Sequence, residues 1–139
     1  MAVERSLILI KPDAVGRGLA GEILGRIEHR GLTLRAGKLL VVDRKLGETH
    51  YGEHREKPFF GELVEFITSG PTLALVVEGE GAIATLRKTI GATNPADAEP
   101  GSIRGDLASS MPDNLVHGSD SPESASREVA LWYWDDELV

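Results

Sequence analysis

Residues 6–10 read Ser6-Leu7-Ile8-Leu9-Ile10, and Lys11-Pro12-Asp13 follows at once. Four large apolar side chains in a row do not alternate between core and solvent. The segment therefore reads as a strand buried on both faces and stopped by the proline. Working outward, Ile23, Leu24 and Ile27 recur at helical spacing between Gly21 and His29, with Gly31 as the stop. Leu39-Leu40-Val41-Val42 reads as a second strand and Leu73-Ala74-Leu75-Val76-Val77 as a third. Phe60, Leu63, Val64 and Ile67 fit the i, i+3, i+4, i+7 template of an amphipathic helix, closed by Ser69-Gly70-Pro71. A shorter helix is expected over 46–53. Ile83, Leu86 and Ile90 mark another helix, Leu115-Val116-His117 a short fourth strand, and Ala125, Val129 and Trp132 a last helix.

That order, β-α-β-(α)-β-α-β-α, contains the ferredoxin-like βαββαβ arrangement. The expected class is α+β, a four-stranded antiparallel sheet with helices packed on one face. The 139 residues are read as one domain over 1–139, large enough to bury roughly two-thirds of the unfolded surface. No run approaches the ~20 apolar residues of a membrane span. Met1-Ala2-Val3-Glu4-Arg5 lacks the basic-then-apolar layout of a secretory signal. The absence of cysteine suits a reducing compartment, and a cytoplasmic location is expected. A net charge of -7 leaves no surplus of Lys and Arg for nucleic-acid phosphates. An anionic substrate has to be held by a local cluster of cations.

Two motifs compete for attention. Gly16-Arg17-Gly18-Leu19-Ala20-Gly21 matches the dinucleotide fingerprint G-x-G-x-x-G, with Asp43 where a ribose-binding acid belongs. Lys11 to Val15, however, separate the strand from the tight turn that motif needs, so the glycines read as a loop and a helix start. His50-Tyr51-Gly52-Glu53-His54 matches the zinc-peptidase pattern H-x-x-E-H. Gly52 weakens the helix that would hold both ligands, and the two read as surface histidines on a short helix. Residues 91–113 form a Gly/Pro/Asn/Asp/Ser-rich stretch longer than ordinary connections, which favours a functional loop.

The densest chemistry lies at Asn114-Leu115-Val116-His117-Gly118-Ser119-Asp120-Ser121. An imidazole at a strand end, facing a glycine-opened space rimmed by hydroxyls and a carboxylate, suits nucleophilic work. The same residues also read as a strand-to-helix turn, with Ser121 as N-cap and Pro122 at the first helical position. Lys11 at a strand end, Arg87 on a helix and Arg104 in the long stretch are cations that can meet in one cleft, as phosphoryl transfer requires. Glu128 borders the inward face of the last helix. It either stays on the solvent side or engages the far nitrogen of His117.

These residues together resemble the nucleoside diphosphate kinase family. The match runs through Ile10-Lys11-Pro12-Asp13, Tyr51, Lys57-Pro58-Phe59-Phe60, Ser69-Gly70-Pro71, Gly91-Ala92-Thr93-Asn94-Pro95-Ala96 and Pro100-Gly101-Ser102-Ile103-Arg104-Gly105-Asp106. It closes on 114–121 and Glu128. The resemblance implies transfer of the terminal phosphate of a nucleoside triphosphate, typically ATP, to a nucleoside diphosphate, in ping-pong fashion through a phosphorylated His117. By matching positions, Lys11 reaches the terminal phosphate and the sugar 3′-hydroxyl, and Asn114 contacts the sugar. Arg87, Thr93 and Arg104 hold the phosphates, Tyr51 adjoins the imidazole and Glu128 orients it. Phe59 stacks on the base near Leu63, with Met111 on the other side of the slot. Mg²⁺ is implied on phosphate oxygens and water, with Asp120 nearby and no direct protein ligand. A homo-oligomer is implied, hexameric rather than tetrameric. The chain departs from the family at Met111-Pro112-Asp113, and Trp134 to Val139 follow no clear family pattern.

Overall fold

The computed structural model describes residues 2–111 and 113–139, so Met1 and the centre of Met111-Pro112-Asp113 lie outside the described residues. The strands are β1 (Val3–Ile10), β2 (Thr33–Leu40), β3 (Thr72–Glu80) and β4 (Val116–Gly118). The helices are α1 (Pro12–Gly16), α2 (Ala20–His29), α3 (Arg44–His50), α4 (Phe60–Ile67), α5 (Ala82–Ile90), α6 (Ile103–Leu107) and α7 (Pro122–Trp132). The sheet order is β2-β3-β1-β4, and every pairing is antiparallel.

Because β1 is apolar at every position from Leu7 to Ile10, both its faces must be covered. Ile8 and Ile10 pack with Ile23 and Ile27 of α2 and with Leu86 and Ile90 of α5. Leu7 and Leu9 pack on the other face with Ile67 of α4, Trp132 of α7 and the adjoining Tyr133. The expectation of helices on one face is therefore too narrow. The βαββαβ helices α2 and α5 take one side, and α4 and α7 close the other.

Three further expectations shift. The second strand runs over Thr33–Leu40 rather than 39–42. It is an edge strand, only partly buried and interrupted by a register shift between Leu34 and Ala36, so polar residues populate it. The apolar run at 39–42 marks its exit, where Val42 turns into the second core. The 91–113 stretch is not an open loop. Ser102 accepts a hydrogen bond from the Gly105 amide at 3.0 Å and caps α6, after a 3₁₀ turn at Pro95–Asp97. The helix expected at 46–53 is α3 plus a 3₁₀ turn at Gly52–His54. Ser121 does cap α7, accepting from the Ser124 amide at 3.1 Å, with Pro122 at the first helical position. The antiparallel sheet, with α1 following β1 and taking in Gly16, disposes of the dinucleotide fingerprint. Among the described residues no helix is long and apolar enough to cross a membrane.

Candidate active site

The pairing of β1 with β4 sets Leu9 opposite His117 and Ile10 opposite Val116. It carries the end of β1 onto the start of β4, where the Lys11 amide donates to the Leu115 carbonyl at 2.9 Å. Lys11 is buried, and its Nζ donates to Asn114 Oδ1. Asn114 Nδ2 in turn donates to the Thr93 carbonyl at 2.9 Å. Burial pulls the Lys11 ammonium down to about 8, with Arg104 acting in the same direction and Asp13 and Asp113 opposing.

Leu115 is the only non-glycine with positive φ among the described residues, at 73°. The Val116 amide donates to the Asn114 carbonyl at 2.9 Å across it, which closes a three-residue turn. Such a conformation costs a branched residue roughly 1–3 kcal/mol unless its surroundings enforce it. Arg104 supplies part of that enforcement. It is 4% exposed. Its Nε donates to the Asn114 carbonyl at 3.1 Å, one terminal nitrogen to the Gly91 carbonyl at 3.1 Å, and the other to the Val116 carbonyl at 2.5 Å. Expected as a phosphate-binding loop residue, Arg104 also stitches three backbone segments together from the first turn of α6.

His117 is half-buried, and its Nε2 lies 2.9 Å from Glu128 Oε1. The same carboxylate oxygen accepts from the Ser119 hydroxyl at 2.8 Å. Glu128 is 5% exposed. Burial pushes its carboxyl up, but the hydrogen bonds from His117 and Ser119 outweigh that and hold it below its usual value. The carboxylate alternative read from α7 is thus the inward one. Gly118 opens space of a different kind from that expected. A Cβ there would sit 2.7 Å from Ile90 Cδ1, so the glycine admits α5 rather than a ligand.

The ring packed on His117 belongs to His50, at 4.9 Å between centroids and 82° between planes. Sequence reasoning set His50 aside as a surface residue, whereas it is 4% exposed. Its Nδ1 accepts from Trp132 Nε1 at 3.1 Å. Burial, and then the facing His117, pull His50 down to about 3, so it stays neutral. Tyr51 abuts His50 at 4.9 Å. Burial and Glu128 push its phenol up to about 12, which keeps it a donor. His50 and His54 do not share a helix, since α3 ends between them. His50, His117 and Glu128 do bring donor atoms within 4.8 Å of one another. His50 Nδ1 is bonded to Trp132, and Glu128 Oε1 to both His117 Nε2 and Ser119, so hydrogen bonds already hold these three side chains in place.

Lys11, Tyr51, Phe59, Leu63, Arg87, Thr93, Arg104, Met111, Asn114, His117, Asp120 and Glu128 all line one cavity of about 630 Å³. Arg87 lies 3.5 Å from the Gly118 carbonyl. Phe59 and Met111, at 43% and 53% exposed, offer apolar surface. Sequence reasoning missed Glu53, Glu62, Ser124 and Arg127 on the same wall, as well as His50 and His54. The position of Arg127 next to Glu128 was the available signal.

Cations gathered around an imidazole that a buried carboxylate holds by one nitrogen define a phosphotransferase. The chain belongs to the nucleoside diphosphate kinase family, whose model matches residues 4–138. The nucleoside diphosphate kinase of Rubrobacter xylanophilus is 63% identical over 131 residues, 94% of this chain and 98% of that relative. The relative from Archaeoglobus fulgidus is 55% identical over 99% of this chain and 91% of its own length. The halophilic nucleoside diphosphate kinase of Halobacterium salinarum, solved in complex with CDP, superposes with a TM-score of 0.96 at 48% identity, covering 99% of this chain and 92% of that one. That of Aquifex aeolicus gives 0.97 at 43% identity over 99% and 100%. The chain is a kinase acting on nucleotides, and such a kinase works with a divalent cation.

Proposed function

We propose that the chain, acting as one domain over 1–139, carries the terminal phosphate from a nucleoside triphosphate to a nucleoside diphosphate on His117 Nδ1. The observation that carries this is the 2.9 Å bond from His117 Nε2 to Glu128, which commits one ring nitrogen and leaves the other for attack. The Nδ1 lone pair forms a bond to the terminal phosphorus. The bond from phosphorus to the bridging oxygen breaks, and the diphosphate leaves with that electron pair. Glu128 stabilises the positive charge that the ring acquires. In the second half-reaction a terminal oxygen of the acceptor diphosphate attacks phosphorus, and the N–P electron pair returns to Nδ1. One site serves both nucleotides in turn, which is a ping-pong sequence.

Lys11, Arg87 and Arg104 supply fixed positive charge to the phosphates. Arg104 keeps two of its five N–H donors after its three backbone bonds. Thr93 and Asn114 serve the phosphates and sugar. Phe59, Leu63 and Met111 offer the base apolar faces, which tolerate every base. Asp120, an exposed carboxylate on the cavity rim, suits Mg²⁺ through water. That ion would neutralise charge on the phosphate oxygens to which it is bound. A cytoplasmic location fits the cysteine-free composition, and a homo-oligomer fits the exposed Leu39 and Val41 at the β2 edge; the hexamer rather than the tetramer is what the resemblance implies. Neither a membrane nor a nucleic acid belongs among its partners.

The test is brief incubation with terminally labelled ATP and magnesium, followed by denaturing electrophoresis. One acid-labile, base-stable phosphate per subunit is expected, absent from His117→Ala. Label that survives acid, or that persists in the variant, contradicts the reading.

A further inference from the structure

The Leu115 turn decides where two site residues point, because Asn114 precedes it and His117 follows two positions later. Arg104 binds the carbonyls on either side of it, but the amide of Leu115 itself goes elsewhere. It donates to Asp13 Oδ2 at 3.0 Å, across 102 positions of the chain. Asp13 sits in the first turn of α1, directly after Lys11 and Pro12. Lys11 and Asp13 therefore take both polar groups of the one left-handed non-glycine residue, the carbonyl through the Lys11 amide and the amide through the Asp13 carboxylate. Leu115 is fully buried, so in the folded chain its amide depends on that carboxylate.

Sequence reasoning assigned Asp13 no part in the site, and its other oxygen, Oδ1, is buried without a hydrogen-bond partner among the described residues. A carboxylate with one oxygen committed to a strained turn and the other to none is placed for its charge as well as its acceptor. Lys11 and Arg104 are the cations it acts upon. We propose that Asp13 is a positioning residue of the phosphotransfer reaction, its carboxylate clamping Leu115 in the left-handed turn that aims Asn114 and His117. The proposal rests on the reading of His117 as the phosphate carrier.

The clamp and the charge separate in experiment. Asp13→Asn keeps an oxygen that can accept from the Leu115 amide but removes the charge, whereas Asp13→Ala removes both. The alanine variant is expected to lose roughly a hundred-fold in kcat, the order of loss from a misplaced reacting group, while Asp13→Asn keeps most of it. The groups facing Lys11 include, among the described residues, Asp13 of α1, Arg104 of α6, Asp113 and Asn114 ahead of β4, and the Phe66 ring of α4 at 5.4 Å. With Asp13 neutralised, the alkaline limb of kcat/KM, which reports the free enzyme, moves to lower pH by roughly one unit in both variants. A purely structural role would leave that limb in place.

Strain is tested by comparing Leu115→Gly with Leu115→Ala, which remove nearly the same side chain while only glycine tolerates the turn freely. The kcat loss from Asp13→Ala should be several-fold smaller when combined with Leu115→Gly than when combined with Leu115→Ala, with folding of each variant checked by circular dichroism. Equal losses in the two backgrounds, together with an unmoved alkaline limb, overturn the role of Asp13. Wild-type label on His117 alongside those results leaves the carrier reading standing, and its absence brings down both.

Discussion

Glu128 Oε1 receives two donors, His117 Nε2 and the Ser119 hydroxyl, within the same buried corner. Removing the carboxylate leaves both donors without a partner and frees the ring to turn. Glu128→Ala should therefore lose roughly ten- to a thousand-fold in turnover while nucleotide affinity is nearly kept, the pattern for an orienting or electrostatic group. Arg104→Ala should behave otherwise. It withdraws donors from the carbonyls of Gly91, Asn114 and Val116, of which that of Asn114 keeps the Val116 amide, as well as removing a phosphate ligand. Turnover and affinity should fall together, with roughly 1–3 kcal/mol of stability lost for each buried group left unsatisfied. Steady-state kinetics with urea denaturation distinguishes the two patterns, and an unimpaired Glu128→Ala enzyme rules out the carboxylate's role. The cations and the imidazole were legible in the sequence because charge and nucleophilicity belong to residue types. The secondary work of Arg104 was not, because backbone carbonyls are the same at every position and only the fold decides which three come within reach.

Between elements, the link of most consequence joins α3 to α7 through the Trp132–His50 hydrogen bond. His50 takes up a proton in the unfolded chain below 6.5, whereas in the folded protein it stays neutral down to about 3. The unfolded state therefore binds the extra proton throughout that window, so stability falls as pH drops from 6.5 towards 3. The loss is on the order of a few kcal/mol. In His50→Asn that part of the slope should vanish from the pH dependence of the urea midpoint, even though the variant starts less stable at neutral pH. The depressed Glu128 carboxyl adds a second acid loss that the variant should retain in part. An unchanged slope contradicts burial of a neutral His50. This link escaped sequence reading because α3 carries few apolar residues, and Gly52 argues against a helix continuing to His54. His50 is covered by Trp132 of α7 and His117 of β4, elements distant in sequence. Strand β2 was misplaced for a related reason, since an edge strand needs only one apolar side, and its hydrophobic run sits at its exit.

For the molecule as a whole, no element owns the site. Lys11 comes from the end of β1, Tyr51 from the end of α3, Leu63 from α4, Arg87 from α5, Arg104 from α6, His117 from β4 and Glu128 from α7. The sequence could name these residues but not their distances, since each distance depends on how the sheet is ordered. That order, β2-β3-β1-β4, also has a consequence in time. The first of the four strands in chain order lies between β3 and β4, and its second flank stays open until β4 has emerged. The pairing that brings His117 beside Leu9 and the helix that delivers Glu128 are then the last events of assembly, and such distant pairings close slowly. A refolding chain should therefore regain Trp132 fluorescence, followed in a Trp134→Phe background, together with phosphotransfer. Far-UV helical signal should return earlier than either. Activity that recovers before Trp132 docks would contradict this order. A ribosome-bound chain lacking α7 would hold nearly every cation of the cavity and still turn over nothing, so newly made protein acquires its catalytic competence all at once, when α7 docks.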